Sequence, residues 1–230
     1  MERVRVVAIV VAAGSGSRLG ADEPKAFLTI GGRPIVAVAV REAVSCPAID
    51  AVVVVAPPGD EPRMRRALAD VAPEAVVVTG GATRQESVRA GLAAVPDDAA
   101  VVVVHDAARP FAAPGLFAEV VERVVAGADA AIPVLAIPDT VKRVRDGEVV
   151  STESRDGLVL AQTPQAFRAE LLRRYHERAG TDGREVTDDA SLFEAAGAHV
   201  VTVAGDPLNF KITTALDLAN ADALSGGGRG

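Results

Sequence analysis

The chain has 230 residues, of which 49% are hydrophobic and 3% aromatic, and its formal net charge is −7. These values suit one globular domain with a substantial core and argue against polymeric nucleic acid as a partner, since such proteins usually present a basic face. No apolar run is long enough to span a membrane and no signal-peptide pattern opens the chain, so we expect a cytoplasmic protein. A single cysteine, Cys46, excludes a disulfide within the chain.

Apolar runs alternate with helical stretches along most of the chain. Most of the runs are continuous stretches of valine, alanine and isoleucine without polar alternation, which is typical of strands covered on both faces. They predict strands at 4–12, 51–56, 75–79, 99–105, 128–134 and 199–204. The stretches between them predict helices at 34–46, 60–71, 84–95 and 114–127, with Thr83 as an N-cap. This order implies mostly parallel pairing, so we expect a three-layer α/β sandwich, Rossmann-like in its connections.

The alternation breaks between residues 138 and 160. Residues 141–150 read as two short polar strands around Asp146 and Gly147, a dipeptide typical of a hairpin turn. The hairpin is too polar to be core, so we expect a β-arm, 138–160, that projects from a single domain of residues 1–230. A hairpin is marginal alone and a second subunit is the simplest cover, which predicts a homodimer through the arm. We expect the tail, 225–230, to be disordered.

The first predicted strand runs into a loop of small residues: Ala12, Ala13, Gly14 and Gly16. Small residues let backbone N–H groups approach a ligand closely, and Arg18 and Lys25 add two cations, which together suit a polyphosphate. The dinucleotide fingerprint and the P-loop are excluded, because position 19 is not glycine and no Gly-Lys-Ser/Thr sequence follows. The alternative is a plain strand-to-helix turn.

Further unusual residues follow the third, fourth and fifth predicted strands, and ligands bind at this edge of open α/β sheets. Gly80 and Gly81 permit backbone approach to a base or ribose, or form a sharp turn. Ser87 either donates to the nucleoside or is a plain helix serine. Asp106 suits a ligand or a phosphate-bound Mg²⁺, and otherwise caps a helix. Arg109 offers a fork for phosphate or makes a surface ion pair, and the segment 138–140 completes the set.

The remaining polar residues receive weaker expectations. Neighbours on a strand face opposite sides, so His105 should be structural if Asp106 faces the ligand. We expect His176 on the surface of an arginine-rich helix, and we interpret residues 162–165 as a rigid polar turn without a core role. Residues 187–189 read first as a helix cap. Lys211, one of only three lysines, precedes the last helix and could reach the same rim.

These segments together resemble the 2-C-methyl-D-erythritol 4-phosphate cytidylyltransferases of the non-mevalonate isoprenoid pathway. Six motifs keep the order of that family over essentially the whole chain: AAGSGSR at 12–18 with PK at 24–25, GGATRQESV at 80–88, HDAARP at 105–110, AQTPQAF at 161–167, TDDAS at 187–191, and Lys211. The resemblance implies a nucleotidyltransferase sandwich and transfer of CMP from CTP to the 4-phosphate of methylerythritol, with Mg²⁺ and release of pyrophosphate.

The resemblance also assigns roles to residues. The α-phosphate would be surrounded by the catalytic cations Arg18, Lys25 and Lys211. CTP would be bound by Ala12, Ala13, Gly14, Gly16, Gly80, Gly81, Ser87, Asp106 and Ala107, with Asp106 also near the metal. Methylerythritol phosphate would be bound by Asp106, Arg109, Thr140, Arg155, Thr163 and Thr187, with Thr140 and Arg155 supplied by the arm of a partner subunit.

Two alternatives stay open at this point. One is a cytidylyltransferase that loads ribitol 5-phosphate, which shares the CTP half and differs in the sugar-phosphate half. The other is a catalytically silent nucleotide-binding module, against which the retained cations argue. From the length of 230 residues we expect the single-function form of the enzyme rather than the form fused to a cyclodiphosphate synthase.

Overall fold

The computed structural model describes residues 4–14, 23–181, 186 and 188–226. Its strands are β1 (Arg5–Val11), β2 (Thr29–Ile30), β3 (Arg33–Pro34), β4 (Ala51–Ala56), β5 (Val76–Thr79), β6 (Ala99–Asp106), β7 (Ala130–Ala136), β8 (Lys142–Arg145), β9 (Glu148–Thr152), β10 (Val159–Ala161), β11 (Gln165–Arg168) and β12 (Val200–Ala204). Its helices are α1 (Ile35–Val44), α2 (Glu61–Leu68), α3 (Arg84–Ala93), α4 (Pro114–Val125), α5 (Ala169–Thr181), α6 (Ala190–Ala195) and α7 (Ala215–Gly226).

The central sheet confirms the mostly parallel α/β prediction. Its strands run in the order β10-β7-β11-β6-β1-β4-β5. Strand β12 lies outside this order and pairs in parallel with β7. Strand β1 pairs in parallel with β4 on one side and β6 on the other, and β4 pairs in parallel with β5. Each predicted strand and helix is present within a few residues of its expected bounds.

Alternate residues of β1 show why the molecule has three layers. Val6, Ala8 and Val10 point into a core shared with α1, α2 and α4. Val7 and Ile9 point into a second core, shared with α3, α5 and α6. Because successive strand residues face opposite sides, a continuous apolar run supplies both cores at once.

Two strands of the sheet, β10 and β11, were not predicted, and the interpretation of 162–165 as a turn without a core role was wrong. Strand β11 lies between β6 and β7 and pairs antiparallel with both. Gln162, Thr163 and Gln165 are buried. Polar residues can occupy this position because their side chains find hydrogen-bond partners inside the fold, which the local sequence does not reveal.

Coverage on both faces, which we expected for most of the predicted strands, does not extend to the sheet's far edge. Strand β5 is the edge strand beyond β4, and Val76 is 49% exposed. Its valine-rich sequence resembles that of the central strands, so composition alone did not separate edge from centre. The position was decided by the topology of the crossovers.

The hairpin predicted at 141–150 is present as β8 and β9, which pair only with each other. Asp146 and Gly147 have φ angles of 51° and 85°, the left-handed conformations that a two-residue hairpin turn requires. Every residue of both strands is exposed. At the other end of the chain, Ser225 and Gly226 continue α7, so the disorder predicted from 225 does not apply to them. Residues 227–230 lie outside the described residues.

Candidate active site

A cavity of about 390 Å³ opens at the carboxyl ends of β1 and β6, beside the start of α3. It lies where ligands bind in open α/β sheets. The sequence-predicted residues that line it are Ala12, Ala13, Gly14, Lys25, Gly81, Ser87, Asp106, Ala107 and Lys211. These come from four separate segments of the chain. The predicted convergence of distant loops on one rim is therefore confirmed for these segments.

The loop before α3 is shaped by its own hydrogen bonds. Thr83 accepts from the backbone N–H of Glu86 at 3.1 Å, and the Glu86 carboxylate accepts from the Thr83 N–H, which completes a capping box. The Ser87 hydroxyl donates to the Thr83 carbonyl at 2.9 Å and accepts from the Gly81 N–H at 3.2 Å. The N-cap prediction for Thr83 is confirmed, and Ser87 holds the loop against the helix.

Gly80 is required because there is no room for a side chain between β1 and α3. A Cβ atom at Gly80 would lie 2.4 Å from the Cβ of Ala13 and 3.0 Å from the Ser87 hydroxyl oxygen. Gly80 therefore lies directly behind the lining residue Ala13 without itself lining the cavity. Its absent side chain lets the segment after β1 and the loop before α3 approach each other closely.

The ammonium groups of Lys25 and Lys211 reach the same cavity from opposite ends of the sequence. Lys25 Nζ donates to the carbonyl oxygen of Ile212, the residue after Lys211, at 2.9 Å. Lys211 Nζ lies 2.6 Å from the Asp106 carboxylate. Lys25 begins a short 3-10 helix, Lys25–Phe27, whose next two residues are buried. Both lysines line the cavity, and each ammonium group is held by a contact inside the fold.

Asp106 is held from three directions. Its backbone N–H donates to the Thr163 hydroxyl at 3.0 Å. Its two carboxylate oxygens lie 3.1 Å from Arg84 Nε and 2.6 Å from Lys211 Nζ. Burial alone would raise the pKa of Asp106, but the guanidinium and the ammonium outweigh it and hold the pKa well below its ordinary value. Asp106 is therefore a carboxylate at neutral pH.

His105 is structural, as predicted from strand alternation. It is buried and packs edge-on against Phe117, with ring centroids 5.1 Å apart. Its Nε2 lies 3.0 Å from the Arg109 carbonyl, which can only accept, so Nε2 carries the proton. Its Nδ1 then accepts from the Thr163 hydroxyl at 3.1 Å. Burial lowers the pKa of His105 to about 4 and keeps the ring neutral.

Of the described residues predicted to bind methylerythritol phosphate, Asp106 lines the cavity of the single chain and the others do not. Arg109 donates to the carbonyls of Asn209 at 2.8 Å and Ala161 at 3.4 Å. The Thr163 hydroxyl is buried beneath Asp106. Arg155 lies at the foot of the hairpin and donates to the Pro138 carbonyl at 2.6 Å. Among the described residues, none of these lines the cavity, and neither does the exposed Thr140.

The predicted convergence of the segment 138–140 on this cavity is therefore wrong for the single chain. After β7 the chain continues into the exposed hairpin, and residues 138–140 are not among the described residues that line the cavity. Three of the predicted site residues, Gly16, Arg18 and Thr187, lie outside the described residues, so their assigned roles stay predictions.

Sequence reasoning missed the role of Arg84, although the residue stands in one of the six motifs. Its guanidinium bridges two carboxylates, with Nε on Asp106 and Nη1 2.7 Å from Asp189. Burial would lower the pKa of Arg84, but the two carboxylates outweigh this and raise it. His176 Nε2 donates to the other Asp189 oxygen at 2.8 Å.

The prediction that His176 lies on the surface was wrong, because it is 1% exposed. Leu172, His176 and Ala179 are all buried on α5 and share one face at helical spacing. That spacing was the available signal, and the surrounding arginines concealed it.

Gln162 was also missed, and it fixes the loop that brings Lys211 to the rim. Its Nε2 donates to the Asp206 carbonyl at 2.9 Å, and its Oε1 accepts from the Asp206 N–H at 3.1 Å. Asn209 donates to the Thr163 carbonyl at 2.9 Å and adds a second anchor. Both amides are buried. The segment before Lys211 is thus fastened to the strand region that carries Thr163.

The donor set of the cavity fits a magnesium ion that is bound mainly through phosphates. Within the described chain, one carboxylate, Asp106, lines the cavity, and no group of three or more potential ligands could hold a metal alone. Mg²⁺ in nucleotide sites takes one or two carboxylates and completes its shell with phosphate oxygens and water. Asp106 could therefore supply one ligand to a metal that arrives with a triphosphate.

Known proteins share both the sequence and the fold of this chain. The family model described as IspD, 2-C-methyl-D-erythritol 4-phosphate cytidylyltransferase, matches residues 6–226. The chain belongs to this family. It is 48% identical over 220 residues to the 2-C-methyl-D-erythritol 4-phosphate cytidylyltransferase of Rhodococcus jostii (strain RHA1), covering 95% of this chain and 94% of that protein.

Two further relatives bear on fold and length. The crystal structure of 2-C-methyl-D-erythritol 4-phosphate cytidylyltransferase from Thermus thermophilus superposes with a TM-score of 0.79 at 38% identity, covering 97% of this chain and 98% of that one. The bifunctional enzyme IspD/IspF of Rhodopseudomonas palustris (strain HaA2) is 45% identical over 222 residues, which are 95% of this chain and 55% of the relative. The chain thus spans about half the length of its bifunctional relatives. In the described part of the chain, no helix is both long and apolar enough to cross a membrane.

Proposed function

We propose that this member of the family transfers CMP from CTP to 2-C-methyl-D-erythritol 4-phosphate, giving 4-diphosphocytidyl-2-C-methyl-D-erythritol and pyrophosphate. The observation that carries the proposal is the meeting of Lys25 and Lys211 with Asp106 in one cavity, next to the loops of small residues. Both reactants are multiply charged and do not cross a membrane unaided. We therefore propose the cytoplasm, where nucleotides are made, as the compartment of the reaction.

The charge of the cavity supports this reaction. The whole chain carries a formal charge of −7, yet three of the described lining residues are cations: Lys25, Arg84 and Lys211. A local positive potential of this kind concentrates anionic reactants in a protein that otherwise repels them. A polyphosphate and a sugar phosphate are both such reactants.

The chemistry requires the cations more than it requires a base. An oxygen of the acceptor phosphate, already anionic at neutral pH, forms a bond to the α-phosphorus of CTP, and the bond to the bridging oxygen of the leaving pyrophosphate breaks. No proton has to be removed from the nucleophile, which fits a site whose histidine, His105, is buried and neutral. Lys25 and Lys211 stabilise the charge that develops on the α-phosphate oxygens.

Magnesium is part of the proposal. When bound to the triphosphate, it would neutralise phosphate charge and favour departure of pyrophosphate. Asp106 is the described residue suited to contact it, while the same carboxylate keeps Lys211 in place.

A single assay tests the proposed function. Purified protein with Mg²⁺ is given each of the four nucleoside triphosphates together with methylerythritol phosphate or ribitol 5-phosphate, and pyrophosphate release is measured. We expect release only with CTP and methylerythritol phosphate. Release with ribitol phosphate would establish the sister activity instead, and no release with any pair would favour a silent nucleotide-binding module. Removal of Mg²⁺ with a chelator should abolish the signal.

We also propose that the protein is a homodimer through its β-arm. Six exposed apolar side chains lie on or near the hairpin: Val144, Val149, Val150, Leu158, Val159 and Leu160. A large exposed apolar surface of this kind marks an interaction site. A second copy would cover it and could bring Arg155 and Thr140 to the partner's cavity, where a single chain lacks its acceptor-binding residues. Sedimentation equilibrium should give the mass of two chains.

A further inference from the structure

A series of ion pairs and hydrogen bonds, which we call the ionic chain, runs from His176 in the interior of the protein to Lys211 at the rim of the cavity. We propose that Asp189 and His176 are positioning residues, which act through Arg84 and Asp106 to aim the ammonium group of Lys211. This inference rests on the proposed function, because its effect is measured on that reaction.

The contacts are continuous. His176 Nε2 lies 2.8 Å from Asp189, and the other Asp189 oxygen lies 2.7 Å from Arg84 Nη1. Arg84 Nε lies 3.1 Å from Asp106, whose second oxygen lies 2.6 Å from Lys211 Nζ. Side-chain exposure is 1–2% at His176 and Asp189, 24% at Arg84, 12% at Asp106 and 37% at Lys211. The end formed by His176 and Asp189 is held in place by the protein interior.

Arg84 connects the buried part of the ionic chain to the part at the cavity. Its planar guanidinium presents several N–H donors in a fixed fork, so one side chain can hold two carboxylates at a defined separation. An ammonium is a compact point charge and cannot span both. The fork also ties three parts of the fold together, namely the first turn of α3, the end of β6 and the start of α6.

Asp106 needs its contact with Arg84 because its other partner is Lys211, the ammonium group whose position affects the reaction. Lys211 is held by Asp106, and without Arg84 the carboxylate could rotate with the lysine toward bound phosphates. A positively charged group displaced by about 1 Å from its productive place can lose on the order of 10²-fold in rate. Asp189 does not line the cavity in the described structure, so its effect on turnover has to pass through Arg84.

Arg84 itself lines the cavity, and this raises an alternative. It could simply bind a phosphate of CTP, in which case its positive charge would matter and its geometry would not. The two roles predict different results for Arg84→Lys. A direct charge contact survives in part with lysine, whereas the bridge between two carboxylates is lost.

The decisive variant is Asp189→Asn, and its neighbour offers a matched control. The Asp188 side chain accepts from the Ser191 N–H at 3.1 Å, whereas Arg84 pairs with Asp189, so Asp188→Asn tests the same helix start without touching the ionic chain. We expect Asp189→Asn to lower kcat by about tenfold to a hundredfold, with KM for CTP changed less than about threefold. We expect Asp188→Asn to keep kcat within about twofold. Arg84→Lys should resemble Asp189→Asn.

A double-mutant cycle provides a readout that a merely structural role would not give. If Asp189 acts by aiming Lys211, then Asp189→Asn should have no further effect on kcat in a Lys211→Ala background. An equal loss in both backgrounds would overturn the proposal, and so would a kcat equal to that of Asp188→Asn. Should Asp189→Asn fail to fold in thermal unfolding, Arg84→Lys decides: retained kcat overturns the proposal, and lost kcat at unchanged KM supports it. An inactive wild type would instead refute the proposed function.

Discussion

The cavity rim and the hairpin arm differ in how completely one chain builds them. At the rim, Asp106, Lys25 and Ser87 each make at least one hydrogen bond or ion pair inside the fold, and the strands beneath them are buried. In the hairpin, every residue of β8 and β9 is exposed, and at its foot Arg155 donates to backbone carbonyls. A single chain therefore preorganises the cavity rim, whereas it leaves the surface of the hairpin uncovered.

The largest effect should come from the two cavity lysines. Lys25→Ala and Lys211→Ala should each lower kcat by roughly 10²–10³-fold, because each removes a preorganised charge aimed at the α-phosphate. Both variants should still fold, and Lys211→Ala should lower the unfolding temperature more, because it removes one of the two cations that pair with the buried Asp106. Arg66→Ala, which removes an exposed charge from α2, is the control and should keep kcat. Turnover within about threefold of the wild type in either lysine variant would contradict the assignment.

A second prediction concerns His105, the buried neighbour of Asp106, and the dependence of stability on pH. Burial lowers the pKa of His105 to about 4 from an ordinary value of 6.5, so the unfolded chain binds this proton more readily. The neutral ring therefore costs no stability above about pH 6.5. As the pH falls from about 6.5 to about 4, the free energy of unfolding decreases by about 3 kcal/mol in all. Urea unfolding of the nucleotide-free and metal-free protein across this range should show the loss. In His105→Gln this part of the slope should vanish, and an unchanged slope would count against a neutral ring.

The close approach of the segment after β1 to the loop before α3 gives a third prediction. Gly80→Ala forces a Cβ to within 2.4 Å of the Ala13 Cβ, so the loops must separate. We expect a loss of about 1–3 kcal/mol in the free energy of unfolding, with a raised KM for CTP. Gly115→Ala in α4 meets nothing within 4 Å and should stabilise the protein by about 0.4–1 kcal/mol. Equal effects of the two substitutions would show that the rim is not tightly packed.

The smallest effect on the monomer should come from the arm. Arg155→Ala should leave stability unchanged, because the side chain is exposed, and should lower kcat/KM for methylerythritol phosphate by about tenfold through loss of a charged contact. If Arg155 acts on the partner's cavity, mixing Arg155→Ala with Lys211→Ala subunits restores one site in each mixed dimer. Random exchange then predicts about a quarter of wild-type activity. No gain on mixing would place Arg155 in its own subunit's site.

Much of the rim was predictable because its signals are local. The Ala12–Gly14 turn follows directly from a buried apolar run, and Thr83 and Glu86 stand three residues apart as a capping box requires. Outside the rim, the residue types of Asp146 and Gly147 predict the hairpin turn. The face of Asp106 followed from strand alternation, once His105 was taken as its structural neighbour. Each inference used residues within one element or one turn.

The ionic chain was not predictable, because its contacts join residues far apart in sequence. Arg84 meets Asp106 and Asp189 across 22 and 105 positions, and Lys211 meets Asp106 across 105. Similarly, the buried amide of Gln162 finds its partners at Asp206 and Asn209. A polar residue looks the same in sequence whether it faces water or a partner that folding brings to it.

The amino-acid sequence by itself determined the alternation of strands and helices, the loops that end at one edge of the sheet, and the family. Only the tertiary structure decided that an antiparallel strand enters the sheet at Gln165–Arg168, that His176 is buried, and which charges pair. The physical reason is that apolar periodicity is written in neighbouring residues, whereas the partner of a buried charge is fixed by how the layers pack against each other.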